Sequence, residues 1–176
     1  MRRGEVTPGS AWALVTGAGS GIGRCYALRL AALGYRLCLA GERRERLEAV
    51  RDEVLEAAAR DGRAATAEVR VEAIDLARIG AAEELHARTR AAGIEPDVVV
   101  NNAGIFSFCD LVDTPSERVE RIVLLHDLTL TKLCRLYAAE MIGRGVRGRI
   151  LNMSSFSLWM PFPGLSLYSA SKAYVR

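Results

Sequence analysis

The chain has 176 residues, half of them apolar, and a formal net charge of +3. This length and composition suit a single domain over residues 1–176 with one sizeable core. The small net charge and the mixing of arginines with acidic residues, as in 42–46, argue against a basic face for nucleic acid. No window approaches the ~18 consecutive apolar residues of a membrane span, so we expect none.

The cysteines and histidines predict neither a metal site nor a disulfide framework. The four cysteines form no C-x-x-C pair, and the two histidines complete no metal-ligand spacing. We therefore expect no metal, and reduced, mostly buried thiols in a cytoplasmic protein. The first ten residues contain no apolar segment, so no secretory signal is expected.

A short apolar run followed by a glycine-rich turn begins the pattern of elements. Residues 11–16 suit a strand buried on both faces of a parallel sheet, and Thr16-Gly-Ala-Gly-Ser-Gly-Ile-Gly23 follows directly. The next helix, from about Ile22 to Leu33, would point its positive end at the turn. Glycines there permit close approach of a ligand to the backbone, which predicts a pyrophosphate site.

The residues after the second strand, predicted over 35–40, bear on which dinucleotide binds. An acidic side chain at this place holds the ribose diol of NAD, whereas a basic one holds the 2′-phosphate of NADP. Gly41 leaves room for a phosphate and Arg43 and Arg44 are close, but Glu42 would repel it. These charges equally suit the solvated start of the next helix. The choice between NAD and NADP stays open.

Strands and helices continue to alternate along the chain, which is typical of an open α/β sheet with helices on both faces. The sequence predicts helices over 43–60, 83–92 and 116–142, and strands over 67–74, 97–100 and 150–153. Ligands of such sheets lie beyond the carboxyl ends of the strands, where Asn101-Asn-Ala-Gly104 would neighbour the glycine turn. By itself, that tetrapeptide is equally a simple turn.

Three polar side chains near the end of the sequence suit acid-base chemistry. Tyr168 and Lys172 are four residues apart in a run without Gly or Pro, so in a helix they share one face. Bringing tyrosine ionisation from pH ~10 to near neutrality needs roughly 4 kcal/mol. An ammonium about 4 Å away supplies about that much at an effective dielectric of ~20. Ser155 follows the last predicted strand and would reach the same edge.

Together, these segments resemble the short-chain dehydrogenase/reductase family over nearly the whole chain. The glycine turn resembles its T-G-x-x-x-G-x-G motif, Asn101–Gly104 its N-N-A-G, and Tyr168–Lys172 its Y-x-x-x-K. Ser155 lies thirteen residues before Tyr168, which is the family spacing. Asp75 resembles the family's adenine-contacting Asp.

The resemblance implies a Rossmann-type α/β fold and an NAD(P)-dependent oxidoreductase acting on an alcohol or carbonyl group. Tyr168 would be the general acid or base, Lys172 would stabilise its phenolate and bind the nicotinamide ribose, and Ser155 would orient the substrate oxygen. The implied cofactor-binding residues are Thr16, Gly17, Gly19, Ser20, Gly21, Ile22, Gly23, Gly41, Arg43, Asp75, Leu76, Asn102, Ala103, Gly104, Tyr168 and Lys172. Family members commonly pair through the long helix and the Tyr168 helix, which implies a homodimer or homotetramer when the protein is full length.

Two features depart from the family pattern. The family usually adds an Asn from the long helix, and counting back from Met141 places His126 there, or a neighbour if the helix contains a gap. His126 would relay protons or be a satisfied structural histidine. The chain also stops at Arg176, before the last family strands, which favours a fragment of a longer reading frame over a truncated protein.

Apolar residues near Ser155 suggest the substrate class. Trp159, Met160, Phe162 and Leu165 surround 161–164, and Ile105–Phe108 could line the same pocket. They indicate a hydrophobic alcohol or ketone, although core packing or a subunit contact would use the same residues. The alternative function is a non-catalytic dinucleotide-binding or interaction protein.

Overall fold

The computed structural model describes residues 9–160 and 162–176. Residues 1–8, over which no secretory signal is expected, and Pro161, in the apolar stretch before Tyr168, lie outside the described residues. In the part of the chain that is described, no helix is both long and apolar enough to cross a bilayer.

Over residues 9–160 and 162–176, five parallel strands form one sheet, in the order β3-β2-β1-β4-β5. The strands are β1 Trp12–Thr16, β2 Arg36–Gly41, β3 Val69–Ala73, β4 Pro96–Asn101 and β5 Arg149–Asn152. Because β1 has β2 on one side and β4 on the other, the strand order reverses at β1, and a crevice opens beyond its carboxyl end. The predicted doubly wound α/β fold is confirmed.

Helices cover both faces of this sheet. They are α1 Gly21–Ala32, α2 Arg44–Arg60, α3 Ala81–Ala91, α4 Ser116–Val123, α5 Leu130–Gly143 and α6 Ser166–Tyr174. Alternate side chains of β1 point to opposite faces. Leu14 packs with α3 and α5, whereas Val15 packs with α1 and α2. Each fully buried Leu or Val contributes about 1.5–3 kcal/mol, so this central strand is firmly held.

The long helix was predicted as one regular element over 116–142, and the structure differs from this prediction. Between α4 and α5 the chain continues through a π-helical turn, Leu124–Thr129. Thr129 anchors this turn, because its hydroxyl donates a 2.9 Å hydrogen bond to the Leu76 carbonyl. Two short 3₁₀ turns, Leu111–Asp113 and Phe156–Trp159, lie within loops.

The cysteines do not follow the expectation of mostly buried thiols. All four are free, but Cys38 alone among them is buried, and Cys25 on α1 is exposed. Cys38 lies in the centre of the sheet, where burial raises the pKa of its thiol to about 12. The expectation was wrong because Cys25, Cys109 and Cys134 lie in helices and loops at partly solvated positions.

Candidate active site

Hydrogen bonds tie the glycine turn after β1 to the asparagine segment after β4. The Thr16 hydroxyl accepts from the backbone amides of Asn102 and Ala103, both at 3.0 Å. The Asn102 side chain donates to the carbonyls of Thr16 and Gly17 at 3.1 and 3.2 Å. The two segments therefore form one rigid edge of the crevice.

Glycine is required at two places in this edge because the backbones approach closely. Gly17 has φ +63°, and a Cβ there would lie 2.8 Å from the Ala103 Cα. A Cβ on Gly23 would lie 2.2 Å from the Gly17 carbonyl oxygen. Any larger residue would force the turn and the asparagine segment apart.

A cavity of about 370 Å³ lies along this edge. The amino end of α1 faces it, and within the described residues the Ser20 side chain makes no hydrogen bond that would cap α1. Free first-turn amides and the helix dipole suit an anion such as a pyrophosphate. The predicted cofactor residues that line the cavity are Gly17, Gly19, Ser20, Gly21, Ile22, Gly41, Arg43, Asp75, Leu76, Asn102, Ala103 and Gly104.

Four predicted cofactor residues lie outside the cavity lining. Thr16 and Gly23 are buried behind it, where they hold the turn in shape. Their motif positions are therefore explained by packing and hydrogen bonding within the protein. Tyr168 and Lys172 lie on α6, and the Lys172 ammonium borders the cavity beside Gly104.

Arginines gather at the other end of the cavity, where the sequence predicts the adenosine. Arg46, together with the predicted Gly41 and Arg43, lines the cavity there. Arg121 of α4 donates to both carboxylate oxygens of Asp75, at 3.0 and 3.4 Å. Asp75 raises the pKa of the Arg121 guanidinium, which is charged throughout the physiological range. Neither Arg46 nor Arg121 belongs to a motif noted in the sequence.

Tyr168 and Lys172 share one face of α6, as their spacing predicts. The Lys172 ammonium lies 5.7 Å from the centre of the Tyr168 ring and donates a 2.9 Å hydrogen bond to the Met153 carbonyl. It also lies 3.6 Å from where a Cβ of Gly104 would be, so it borders the cavity. Lys172 is only 5% exposed. Burial lowers the pKa of its ammonium, and the nearby Asp127 opposes this effect.

Ser155 follows β5, but its hydroxyl accepts a 3.1 Å hydrogen bond from the Ser157 backbone amide. Within the described residues no hydrogen bond joins Ser155 to Tyr168. Its neighbour Ser154 donates to the Lys172 carbonyl at 2.7 Å, which fastens α6 to the end of β5. Tyr168 and Lys172 thus lie together on α6, and within the described residues no hydrogen bond joins Ser155 to either of them.

His126 has the environment of a structural histidine. It is 1% exposed; its Nε2 accepts from the Ile105 backbone amide and its Nδ1 faces the Ser171 hydroxyl, both at 2.8 Å. Ser171 in turn donates to the Tyr168 carbonyl. Burial, followed by the charge of Lys172, lowers the pKa of His126 to about 4. At neutral pH the ring is therefore neutral and holds α6 against the asparagine segment.

Asp127, next to His126, is a residue that the sequence analysis missed. It lies in the π-helical turn, and its Oδ1 is buried without a hydrogen-bond partner among the described residues. Burial raises the pKa of its carboxyl, and the charge of Lys172 opposes this effect. The one available signal was the possibility that a neighbour of His126 occupies the family's Asn position.

Aromatic residues of the segments after β4 and before α6 contact Tyr168 and each other. Phe106 contacts the Tyr168 ring edge-on, with ring centres 5.2 Å apart. Phe108 lies 6.5 Å from Phe162 between ring centres, and the Cys109 amide donates to the Gly164 carbonyl at 2.8 Å. The segments after β4 and before α6 therefore form a single apolar rim.

A family model described as short chain dehydrogenase matches residues 11–176. The chain belongs to the short-chain dehydrogenase/reductase family, as its motifs indicate. A very-long-chain 3-oxoacyl-CoA reductase from Anas platyrhynchos is 35% identical over 98% of this chain and 54% of the relative. The chain therefore spans about half the length of this relative.

Solved structures are similar over nearly the whole chain. A metagenomic short-chain oxidoreductase in complex with NADP has a TM-score of 0.84 at 31% identity, covering 96% of this chain and 72% of that one. A bulky-bulky ketone specific alcohol dehydrogenase from Comamonas testosteroni has a TM-score of 0.83 at 28% identity, covering 94% and 63%. The prediction of an NAD or NADP cofactor is confirmed at the level of the family, with the preference between them open.

Proposed function

We propose that the protein transfers hydride between a nicotinamide dinucleotide and an alcohol or carbonyl group, with Tyr168 as general acid or base. The observation that carries this proposal is the position of Tyr168 and Lys172, side by side on α6 where the glycine-lined cavity ends at Gly104. The bound nicotinamide supplies or accepts the hydride.

The residues around this point have distinct tasks. The Tyr168 hydroxyl gives a proton to the substrate oxygen during reduction and takes it back during oxidation. The buried Lys172 ammonium stabilises the phenolate that forms, because opposite charges attract strongly in a partly desolvated site. Ser155 orients the substrate oxygen after its hydroxyl turns away from the Ser157 amide.

The arginines at the adenosine end favour NADP over NAD. Gly41 leaves space beyond β2, and Arg43 and Arg46 line the same cavity. Both guanidiniums can form charge-assisted hydrogen bonds with a 2′-phosphate, which outweighs the exposed Glu42. A relative of similar structure is a complex with NADP, which supports this choice.

The apolar rim favours a hydrophobic substrate. Phe106 packs on Tyr168 itself, and Phe108 and Phe162 extend the apolar surface outward. The names of two relatives, a reductase of very-long-chain acyl compounds and a dehydrogenase of bulky ketones, agree with this chemistry. We therefore propose a ketone or secondary alcohol with a bulky or long apolar group.

Residues 1–176 are further proposed to act as one domain in a cytoplasmic homodimer or homotetramer. Exposed apolar side chains along the long helix, Val123, Leu128 and Ile142, support a helix-mediated contact between subunits. Sedimentation of a Val123→Ser, Leu128→Ser double variant tests it, with a shift to monomer expected.

Replacement of Tyr168 by Phe tests the proposed chemistry. NADPH oxidation with a panel of apolar ketones should fall by about 10³-fold, since general acid–base catalysis contributes 10²–10⁴. Tyr174→Phe is the matched control, because Tyr174 lies on the same helix but is exposed and bonds to Thr131. Equal activity of the two variants would overturn the assignment. NADPH binding without turnover of any ketone by the unchanged chain would instead favour a non-catalytic dinucleotide-binding protein.

A further inference from the structure

The Lys172 ammonium is buried with few polar partners. Its one hydrogen bond in the described residues is to the Met153 carbonyl, although an ammonium has three protons to donate. A buried cation without a counter-charge loses its proton readily, because desolvation penalises the charged form. A partner that carries negative charge would keep it protonated.

His126 cannot supply that charge. A histidine is either neutral or positive, and this one is neutral with both ring nitrogens engaged, by Ile105 and Ser171. Its role is to fix the position of α6 against the segment after Gly104. The candidate must therefore come from another side chain near Lys172.

The other charged residues of α4 and α5 are either paired elsewhere or exposed to solvent, the exposed ones being Glu117, Glu120 and Arg135. On α4, Arg118 donates to the Phe106 carbonyl and Arg121 to Asp75. On α5, Lys132 pairs with Glu83 at 2.7 Å. Asp127 differs from all of these, since it carries a buried carboxylate oxygen without a partner among the described residues.

The π-helical turn explains how Asp127 reaches this location. A π turn widens the helix and shifts the register of the residues that follow, and such turns are frequent at functional sites. Here the turn Leu124–Thr129, which contains His126 and Asp127, contacts α6, and His126 bonds to Ser171 of that helix. A Cβ on Gly104 would lie 3.2 Å from His126 Nε2 and 3.6 Å from the Lys172 ammonium, so this turn borders the ammonium. The charge of each of Asp127 and Lys172 opposes the effect of burial on the pKa of the other.

We propose that Asp127 is the counter-charge that keeps the Lys172 ammonium protonated, acting as a positioning residue for the chemistry at Tyr168. The positioning role of Asp127 rests on the proposed hydride transfer. The charge coupling itself is a property of the folded chain, so it can be measured without any turnover.

The sequence offers a clean measurement, because it contains only two lysines, Lys132 and Lys172. Protein labelled with ¹³C-lysine gives one side-chain signal for each, and their pH titrations report the two pKa values separately. Asp127→Asn should lower the pKa of Lys172 by about one pH unit or more, the range typical of losing a nearby opposite charge. The Lys132 signal serves as the internal reference.

Glu83→Gln is the matched control, since it removes the partner of Lys132. It should leave the pKa of Lys172 unchanged. An unchanged Lys172 titration in Asp127→Asn overturns the proposal. If that variant does not fold, the unchanged chain still decides: the Lys172 signal should show an acid inflection where Asp127 titrates, and its absence also overturns the proposal.

Activity gives a second readout that separates the two proposals. The kcat/KM profile of Asp127→Asn should lose its high-pH activity at a lower pH, following Lys172, whereas a structural role would lower the whole profile evenly. A Lys172 shift in a protein without turnover would support the coupling and contradict the proposed function. Turnover without the Lys172 shift would support the proposed function and contradict the coupling.

Discussion

The two ends of the cavity are built in opposite ways. At the glycine turn every β1 residue is buried, and Thr16, Gly17 and Asn102 are joined by hydrogen bonds. In the segments after β4 and before α6, by contrast, five aromatic residues are 54–72% exposed, namely Phe106, Phe108, Phe156, Trp159 and Phe162. The first end has the rigidity that a fixed ligand needs, whereas the second offers an apolar surface that a varied substrate can cover.

The rigid end should tolerate the least change. Gly23→Ala would place a Cβ against the Gly17 carbonyl, and we expect it to lower the free energy of unfolding by about 3 kcal/mol. Urea denaturation measures this loss. Gly143→Ala is the control, because nothing lies within 4 Å of its added Cβ at the end of α5. The control should stabilise the protein slightly, by about 0.5–1 kcal/mol; a similar loss in both variants would contradict the close approach described here.

Acid should lower the free energy of unfolding, because His126 is protonated more readily in the unfolded chain. Its folded-state pKa is depressed to about 4 from 6.5, so the stability it contributes is full above pH 6.5 and is lost as pH falls toward 4. The loss should reach about 3 kcal/mol at pH 4, at 1.36 kcal/mol per pH unit. Unfolding free energies between pH 4 and 8, compared with those of His126→Gln, isolate this contribution. An identical slope in the variant would show that the ring does not stay neutral on folding.

Arginine replacement at the adenosine end should change affinity without changing stability. Arg43→Gln and Arg46→Gln should each weaken NADPH binding by about 10-fold, the loss of one charge-assisted hydrogen bond. The affinity for NADH should stay nearly constant. Fluorescence titration with both nucleotides measures the ratio of the two dissociation constants. Glu42→Gln should increase the preference for NADPH, because it removes a negative charge from the lining of the same cavity. A uniform loss for both nucleotides would contradict 2′-phosphate binding.

The exposed aromatic rim should show the smallest effect on stability. Phe162→Ser should change the free energy of unfolding by less than about 0.5 kcal/mol, since the side chain is more than half exposed. The KM for an apolar ketone should rise by about 5-fold, because the substrate loses part of its apolar contact. Ile79→Ser, at an exposed position outside the site, is the control and should leave KM unchanged. An unchanged KM in both variants would show that the apolar rim does not contact the substrate.

The sequence predicted the rigid end better than the open one. Buried strands and glycine turns have strong local patterns, so β1, β2 and β4 were placed within two residues of their bounds. The same local patterns cannot show whether a motif residue faces the ligand or the protein. Thr16 and Gly23 belong to the glycine motif but support it from behind, which only the packing of β1 against the asparagine segment reveals.

The π-helical turn could not be predicted because apolar spacing fits it nearly as well as an α-helix. Its consequence is local but important: it sets His126 and Asp127 beside α6, where a regular helix would have presented different side chains. The hydrogen bond from the Ser157 amide to the Ser155 hydroxyl could not be predicted either, since it depends on the 3₁₀ turn that follows. Both features arise from irregular backbone, for which composition and periodicity give weak signals.

The central claim is that the rigid end binds the dinucleotide by itself, while Tyr168 serves the chemistry. Calorimetric titration of NADPH into the unchanged chain, Tyr168→Phe and folded Gly23→Ala tests it directly. We predict one site in the unchanged chain, an affinity within about 3-fold in Tyr168→Phe, and a loss of at least about 100-fold in Gly23→Ala. No binding to the unchanged chain, or equal losses in the two variants, would contradict the account.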